Sequence, residues 1–279
     1  MANRKGKNRS DKRKTEPVKP RISRKLLLMP VIVLVIFIVI LVSYDYGLFS
    51  TVKSTPTGIS VNPPPYLEPG YFAKISNSNV GSQGTVSVYF LSWYGCPIGA
   101  AESWIIYNFT RQYFQSTGYI KDGNHTSDPA VAYPGTPGLI FGNYTMTYSG
   151  LRYSFNSSYV YGEYVNGSGL IGSGSQIMNA SFPHSVSTVL YQFETQVPLG
   201  TNIGAKPSAI REGHLTTAIL VSGNNGTYIV EGSIFSPGAL EGYTPNQVRN
   251  AVDRGSVTFS SSIGAGTVYF EKVLSEAIA

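Results

Sequence analysis

Thr85-Val-Ser-Val-Tyr-Phe-Leu-Ser-Trp-Tyr-Gly-Cys-Pro97 joins a strand pattern directly to the start of a helix. Residues 85–92 are mostly β-branched or aromatic, which predicts a buried central strand. Gly95 ends the strand, and Pro97 suits the first helical position because its missing N–H would have no partner there. Apolar residues at three- and four-residue spacing then predict a helix to about Phe114: Ile98, Ala101, Ile105 and Phe109.

The same reasoning, applied to the rest of the chain, predicts a single α/β (α+β) domain over residues 71–279. The predicted order is β–α–β–(insertion)–α–β–β–α, with the insertion at about 115–215. Strands are expected at 138–141 and 144–148, a hairpin at 217–221 and 227–230, and helices at 186–196, 244–253 and 266–278.

A glycine-rich segment interrupts this pattern. Residues 162–175 hold five Gly, which predicts a mobile loop. Within it, Gly167-Ser-Gly-Leu-Ile-Gly172 matches a dinucleotide-binding fingerprint. That fingerprint requires a strand before it and a helix after it, and we predict neither here. We therefore interpret the match as part of the loop.

Cys96 is the only cysteine among the 279 residues, which excludes an intramolecular disulfide, an iron–sulfur cluster and a multi-cysteine zinc site. Its predicted place at a helix N-terminus favours a thiolate, because free N–H groups and the helix dipole stabilise negative charge there. A lone cysteine without that context is more often a buried, unreactive side chain. Both interpretations stay open at this point.

The segment around Cys96 resembles known families at two levels. Strand, Trp, Cys-Pro-x-x and helix is similar to the active-site segment of thioredoxins. The longer string Ser92-Trp-Tyr-Gly-Cys-Pro-Ile-Gly-Ala-Ala-Glu-Ser-Trp104 resembles an uncharacterised archaeal domain-of-unknown-function family, many members of which read Cys-Pro-Tyr-Cys-Ala-Ala-Glu-Arg-Trp. The resemblance continues at 133–137, 226–233 and 235–247. It implies a thioredoxin-like three-layer fold, and it brings no established activity with it.

Two departures from the thioredoxin pattern bear on the chemistry. Gly99 stands where a second cysteine would resolve a mixed disulfide, and Ala218 falls where thioredoxins have a cis-proline beside the cysteine. The resemblance therefore implies that dithiol redox activity is absent. The candidate catalytic residue is Cys96, and its possible neighbours are Trp93, Tyr94, Pro97, Gly99, Glu102, His214 and Ala218.

Other chemistry is weakly supported by the residues. Cys96, His214 and Glu102 could form a nucleophilic or copper-type constellation, but nothing in the sequence brings the three together. With only three His, we predict no metal site and no cofactor. The predicted function is a non-catalytic binding or structural module that lacks dithiol redox activity. The alternative is a monothiol redox or thiol-capture protein that uses Cys96.

The charge distribution separates a basic tail from the rest of the chain. Residues 1–25 hold 11 Lys/Arg and two Asp/Glu, whereas the remainder holds 10 Lys/Arg and 13 Asp/Glu. The net charge of +6 therefore belongs to the tail, which argues against a nucleic-acid-binding surface on the folded domain.

Leu26–Val42 is an unbroken run of 17 apolar residues, and with its flanks it predicts a transmembrane helix at 26–44. A cleaved signal peptide is the alternative, but the apolar run is long and no cleavage site follows it.

These features predict a single-pass protein of the cell membrane, with the tail in the cytoplasm and the C-terminal domain outside the cell. A Pro-rich spacer at 45–70 would hold the domain away from the lipid bilayer. The expected partners are the bilayer and an unknown extracellular protein. A polar surface with few charges keeps its character in acid, so an acidic exterior is a hypothesis. Sequons predict N-glycosylation at Asn124, Asn143, Asn156, Asn166, Asn179 and Asn225; a seventh, at Asn108, falls in a predicted helix.

Overall fold

A six-stranded mixed β-sheet lies at the centre of the domain. The computed structural model describes residues 60–115, 118–255 and 257–278, without the side chains of 257–260. The predicted tail, the predicted transmembrane helix and most of the predicted spacer lie outside the described residues. Among the helices that are described, none is both long enough and apolar enough to cross a membrane.

The described residues form eight strands and six α-helices. The strands are β1 Ala73–Ser76, β2 Thr85–Ser92, β3 Ile120–Thr126, β4 Pro137–Phe141, β5 Tyr144–Tyr148, β6 Leu151–Tyr159, β7 Ala218–Gly223 and β8 Gly226–Glu231. The helices are α1 Pro97–Phe114, α2 Leu170–Ser181, α3 His184–Gln196, α4 Ser208–Glu212, α5 Pro245–Arg254 and α6 Val257–Ile278, with a 3-10 turn at Pro237–Leu240.

The main sheet has the strand order β1-β8-β7-β2-β6-β5. Strands β2 and β6 pair in parallel over eight residues, and every other pair in this sheet is antiparallel. All eight residues of β2 are buried, as expected for a central strand covered on both faces. Strands β3 and β4 form a separate two-stranded ribbon.

Two hydrophobic cores cover the two faces of the sheet and produce three layers. Val88 and Phe90 point to one face, where α1, α5 and α6 pack. Tyr89 and Leu91 point to the other face, where α2 and α3 pack. Helix α1 is buried nearly all round because the β3–β4 ribbon lies on its outer side. The alternation of side chains along β2 thus divides the apolar residues between the two cores.

Most of the predicted elements are confirmed. Strand β2 and helix α1 have the predicted bounds, and β4, β5, α3 and the β7–β8 hairpin lie within one or two residues of theirs. Helix α5 begins with the predicted capping box, in which Thr244 and Gln247 each bond to the other's backbone. Helix α6 begins nine residues before the predicted start at Gly266. Strands β1, β3 and β6 and helix α4 have no predicted counterpart.

The prediction of a mobile loop at 162–175 is wrong for its second half. Helix α2 begins at Leu170, directly after Gly169, which has a φ of 71°. The helix tolerates its glycines because one of them makes a close contact: a Cβ atom added at Gly174 would lie 2.3 Å from the Tyr161 hydroxyl. The buried side chain of Met178 then anchors α2 in the core beneath β2. Tertiary packing here outweighs low helix propensity.

Candidate functional site

Cys96 is the N-cap of α1 and is buried, with 5% of its surface exposed. Its Sγ atom accepts a hydrogen bond from the Gly99 N–H at 3.5 Å and lies 3.0 Å from Thr217 Oγ1. Thr217 Oγ1 in turn lies 3.0 Å from Ser92 Oγ. Ser92, Cys96 and Thr217 thus form a chain of polar side chains, which we name the hydroxyl cluster.

The surroundings of Cys96 favour the neutral thiol. Burial raises the pKa of the Cys96 thiol above its ordinary value, and the Glu102 carboxyl group also raises it. Hydrogen bonds from Gly99 and Thr217 lower this pKa, but they do not cancel the effect of burial. The helix N-terminus therefore does not favour a thiolate here, because the effect of burial on the pKa is larger.

Gly99 lies against the hydroxyl cluster. A Cβ atom added at Gly99 would lie 2.0 Å from Ser92 Oγ and 3.2 Å from Thr217 Oγ1. The Ser92 hydroxyl thus occupies the space that a side chain at position 99 would need. A second thiol at position 99 would therefore require the Ser92 side chain to move.

Ala218, predicted beside Cys96, is the first residue of β7 and pairs with Leu91 of β2. The side chain that reaches the sulfur is that of Thr217, one residue earlier. All peptide bonds among the described residues are trans, so no cis bond stands before β7. Sequence reasoning missed Thr217 and Ser92. The available signal was a hydroxyl residue at the end of one apolar strand and another at the start of its neighbour.

A cleft with a volume of about 250 Å³ opens next to Cys96. One wall is apolar, and the opposite side carries Arg211 and Glu212, which form an ion pair at 2.8 Å. Cys96 therefore contributes to a largely apolar cleft that also contains a charged pair. The cleft is lined by Trp93, Cys96, Pro97, Ile98, Val131, Ala132, Tyr133, Leu199, Ser208, Arg211, Glu212, His214, Thr216, Thr217 and Gly232.

The aromatic neighbours predicted for Cys96 separate into two groups. Trp93 is buried at the cleft and meets the His214 ring edge-on, with 5.6 Å between ring centroids. His214 Nδ1 bonds to the carbonyl of Leu215 at 2.8 Å, and no hydrogen bond joins His214 to Cys96 among the described residues. Tyr94 points away from the cleft and stacks on Tyr159 at 5.0 Å. His214 thus supports the Trp93 ring and does not activate the thiol.

Glu102 is buried on α1, and its carboxyl group contacts the turn after β8. Its Oε1 accepts a hydrogen bond from the Ile234 N–H at 3.4 Å, and its Oε2 has no hydrogen-bond partner within the described part of the chain. Burial raises the pKa of Glu102 well above its usual range. Across the described residues, no group of three His, Cys, Asp or Glu side chains is arranged to hold a metal ion. Cys96, His214 and Glu102 therefore do not form the ligand set considered above.

A second polar cluster borders the same cleft and was not predicted. Ser208 Oγ lies 3.1 Å from Glu194 Oε2 and 2.6 Å from Glu231 Oε2, and both carboxyl groups are fully buried. Glu194 also accepts bonds from the Thr216 N–H at 2.9 Å and from the Thr216 hydroxyl at 3.0 Å. We name Glu194, Ser208, Thr216 and Glu231 the carboxylate cluster. No local sequence pattern indicates it, because its members come from α3, α4, β8 and the segment before β7.

The carboxylate cluster must hold at least one proton. Ser208 has one hydroxyl hydrogen, so it can donate to only one of its two carboxyl neighbours, and the other contact needs a hydrogen from the acid. Burial raises the pKa of Glu194 to about 7, although hydrogen bonds from Thr216 and Ser208 lower it. Burial and the nearby Glu194 raise the pKa of Glu231 well above its usual range. Burial thus favours a protonated acid in this pair, and Ser208 bridges the two carboxyl groups that share the proton.

The predicted glycosylation sites differ in exposure. Asn156 is half-buried on β6, and its amide group donates to Ser154 Oγ at 3.0 Å. Asn108 is buried on α1 and donates to Thr267 at 3.0 Å, so its side chain is not accessible for modification. Five predicted sites are exposed: Asn124, Asn143, Asn166, Asn179 and Asn225. Among them, the Asn225 amide group donates a hydrogen bond to the Glu276 carbonyl at 3.0 Å.

Comparison with known proteins identifies a family and no characterised relative. No curated protein and no solved structure matches the chain significantly. A family described as Domain of unknown function (DUF929) matches residues 71–276. That range includes the whole sheet, the hydroxyl cluster and the carboxylate cluster. Because the match covers well over half of the residues, the chain belongs to the DUF929 family, a domain of unknown function.

Proposed function

We propose that this protein is a membrane-anchored, extracytoplasmic thioredoxin-like domain that acts as a non-catalytic binding module. The basic tail would lie in the cytoplasm, one helix at 26–44 would span the cell membrane, and the glycosylated domain would bind a protein outside the cell. The support for this placement is the apolar run Leu26–Val42 and the charge bias before it. An archaeal source is part of the proposal and rests on the resemblance of residues 92–104 alone.

The strand topology supports the thioredoxin-like part of the proposal. Strand β2, helix α1 and strand β6 form a parallel crossover, and β7 and β8 form a hairpin antiparallel to β2. Cys96 lies between β2 and α1, and α6 follows the hairpin on the α1 face. This βαβ and ββα arrangement is what the resemblance of the Cys96 segment implies. In this proposal β1, β5 and the β3–β4 ribbon are additions to the common core.

One observation supports the proposed absence of dithiol chemistry: Gly99 packs against Ser92. Thiol–disulfide exchange needs a second thiol to release the mixed disulfide. Position 99 has no side chain, and the Ser92 hydroxyl lies 2.0 Å from where one would begin. A neutral and nearly inaccessible Cys96 also argues against a monothiol role, because the thiolate is the reactive form.

The cleft is the surface that we propose for binding. Its apolar wall, which includes Trp93, Ile98 and Leu199, suits an aliphatic or aromatic side chain of a partner. Arg211 and Glu212 at the rim, and the backbone of the Thr216 segment, offer polar contacts around that side chain. A volume of about 250 Å³ accommodates one or two residues of a protein partner and not an extended surface.

Alkylation of Cys96 tests the proposal against the monothiol alternative. The full-length protein is treated with iodoacetamide between pH 6 and 10, in native buffer and in guanidinium chloride. We expect labelling of the native protein to be at least about 100-fold slower than labelling of the unfolded protein, because the thiol is buried. Rapid native labelling, with a thiolate pKa below about 8.5, would establish the monothiol alternative instead.

Site-specific photo-crosslinking tests the binding surface. A photoreactive residue replaces Tyr133, which lines the cleft and is 42% exposed, or Tyr148, which is 40% exposed and lies away from the cleft. In intact cells we expect adducts with another protein at position 133 and none at position 148. Equal crosslinking at both positions would contradict a specific role for the cleft. Protease treatment of intact cells, with the cytoplasmic tail protected, tests the topology separately.

A further inference from the structure

A second cleft, with a volume of about 440 Å³, lies on the α1 side of the sheet and shares no lining residue with the cleft beside Cys96. It is formed where α5 faces the β3 ribbon strand and the middle of α1. Its lining is Tyr107, Ile120, Gly123, Arg249 and Asp253. Nothing in the proposed function involves this cleft, so the inference below is independent of it.

Arg249 is half-buried in this cleft and has almost no partner. Its Nε is buried without a hydrogen bond, and one long bond joins its Nη2 to the Gly123 carbonyl at 3.4 Å. Within the described residues, no carboxylate forms an ion pair with Arg249. Buried N–H groups of proteins are normally hydrogen-bonded, and the charge of a partly buried guanidinium group is normally paired. The structure therefore leaves hydrogen-bonding capacity unused at Arg249.

The carboxylate in the same cleft is engaged elsewhere. Asp253 Oδ1 accepts a hydrogen bond from the Tyr107 hydroxyl at 2.8 Å and lies 3.4 Å from Nε of Arg111. Arg111 also donates to the carbonyl of Val252 at 2.9 Å. Asp253 is thus engaged by Tyr107 and Arg111, and Arg249 has no carboxylate of its own among the described residues. Burial and Asp253 raise the pKa of Tyr107 to about 12, so its phenol adds no negative charge at neutral pH.

Gly123 makes room for the guanidinium group. A Cβ atom added at position 123 would lie 2.1 Å from Arg249 Nη2 and 3.0 Å from Cζ. Any other residue at this position would push the guanidinium group out of its present place. The lack of a side chain at Gly123 on β3 is therefore what allows the guanidinium group of Arg249, on α5, to take its present position.

We propose that this cleft binds a small oxyanion, with Arg249 as the group that pairs with it. Carboxylate, phosphate and sulfate groups all offer two oxygens that match the parallel N–H groups of a guanidinium. The bound group would satisfy the unused donors of Arg249 and pair with its charge. Asp253 faces the same cleft and accepts hydrogen bonds, so it favours a ligand that also carries a hydroxyl group near the anion.

The test is an anion titration of the full-length protein at constant ionic strength. The probes are sodium acetate, phosphate and sulfate, each replacing chloride, and the signal is the ¹H–¹⁵N resonance of the arginine Nε groups. We expect one Arg Nε resonance to shift and saturate with at least one probe. The probe that saturates at the lowest concentration identifies the class of anion. No saturable shift with any of the three probes would overturn the proposal.

Substitutions at Arg249 test whether the anion binds in this cleft. Arg249→Gln is compared with Arg254→Gln, its matched control, because Arg254 is exposed on the same helix. We expect at least a tenfold loss of affinity in Arg249→Gln and no change in Arg254→Gln. Arg249→Lys keeps the charge without the paired N–H groups, and its affinity should fall between the two. If Arg249→Gln does not fold, a loss in Arg249→Lys alone supports the proposal, and unchanged affinity in that variant contradicts it.

Discussion

The hydroxyl cluster and the carboxylate cluster border the same cleft, but their buried polar groups are hydrogen-bonded in different ways. Thr217 belongs to the first and Thr216 to the second, so two consecutive residues connect them. The hydroxyl cluster has no charged member, and its groups bond to one another. The carboxylate cluster buries two acids, and Glu231 Oε1 has no hydrogen-bond partner within the described residues. The comparison shows that only the second cluster depends on a proton.

The largest expected effect is a dependence of stability on pH that comes from the carboxylate cluster. Folding raises the pKa of Glu194 from 4.5 to about 7. Because the folded state binds the Glu194 proton more tightly than the unfolded state, this group contributes fully to the free energy of unfolding below about pH 4.5. The contribution is lost as the pH rises through about 7. One shift of this size corresponds to about 3 kcal/mol. Urea unfolding of the full-length protein, followed by circular dichroism from pH 4.5 to 8, measures it.

Two variants locate this dependence. Glu194→Gln keeps a neutral group of similar shape and should reduce the slope of unfolding free energy with pH by about a third, because Glu194 is one of three buried acids whose pKa is raised. The matched control Glu241→Gln changes an exposed glutamate and should leave the slope as it is. Glu231 and Glu102 would account for the rest of the slope, because burial raises the pKa of both carboxyl groups. A wild-type protein that is more stable at pH 8 than at pH 5 would contradict the assignment, whereas greater stability in acid also fits the hypothesis of an acidic exterior.

A smaller effect is expected at the hydroxyl cluster from Gly99→Ala. The added Cβ would meet the Ser92 hydroxyl at 2.0 Å, so we expect a loss of about 2 kcal/mol from overpacking. The matched control is Gly172→Ala in α2, where a Cβ atom meets nothing within 4 Å. That variant should be neutral or more stable by up to about 1 kcal/mol, because alanine favours a helix. Chemical denaturation at one pH distinguishes the two, and equal stabilities would show that Ser92 can move aside.

The smallest expected effect comes from Thr217→Val, which removes the central hydroxyl of its cluster. We expect a loss of about 1 kcal/mol, since the Ser92 and Cys96 side chains each lose one hydrogen-bond partner. The slope of stability with pH should stay that of the wild type, because no charged group is involved. Thr216→Val, one residue earlier, removes a bond to Glu194 and should steepen that slope. Identical behaviour of the two variants would remove the distinction between the clusters.

Local patterns predicted the elements whose signals lie within one segment. Strand β2 and helix α1 follow from an apolar run, a glycine and a proline, which are read without knowledge of distant residues. The capping box of α5 is equally local. Strand β6 was missed because its buried and exposed residues mix serine and asparagine with aromatic residues. Helix α2 was missed because its glycines favour a loop until Tyr161 and the core beneath β2 are in place.

The sequence by itself determined that Cys96 is the only cysteine and precedes Pro97, that position 99 lacks a second thiol, and that the excess of basic over acidic residues lies in the N-terminal tail. These are facts of residue order and need no folding. Only the tertiary structure decided that the thiol is buried against Thr217, that Glu194 and Glu231 share a proton through Ser208, and that Arg249 lacks a counter-charge. The physical reason is that burial, pairing and pKa depend on groups brought together from distant segments, which no local pattern records.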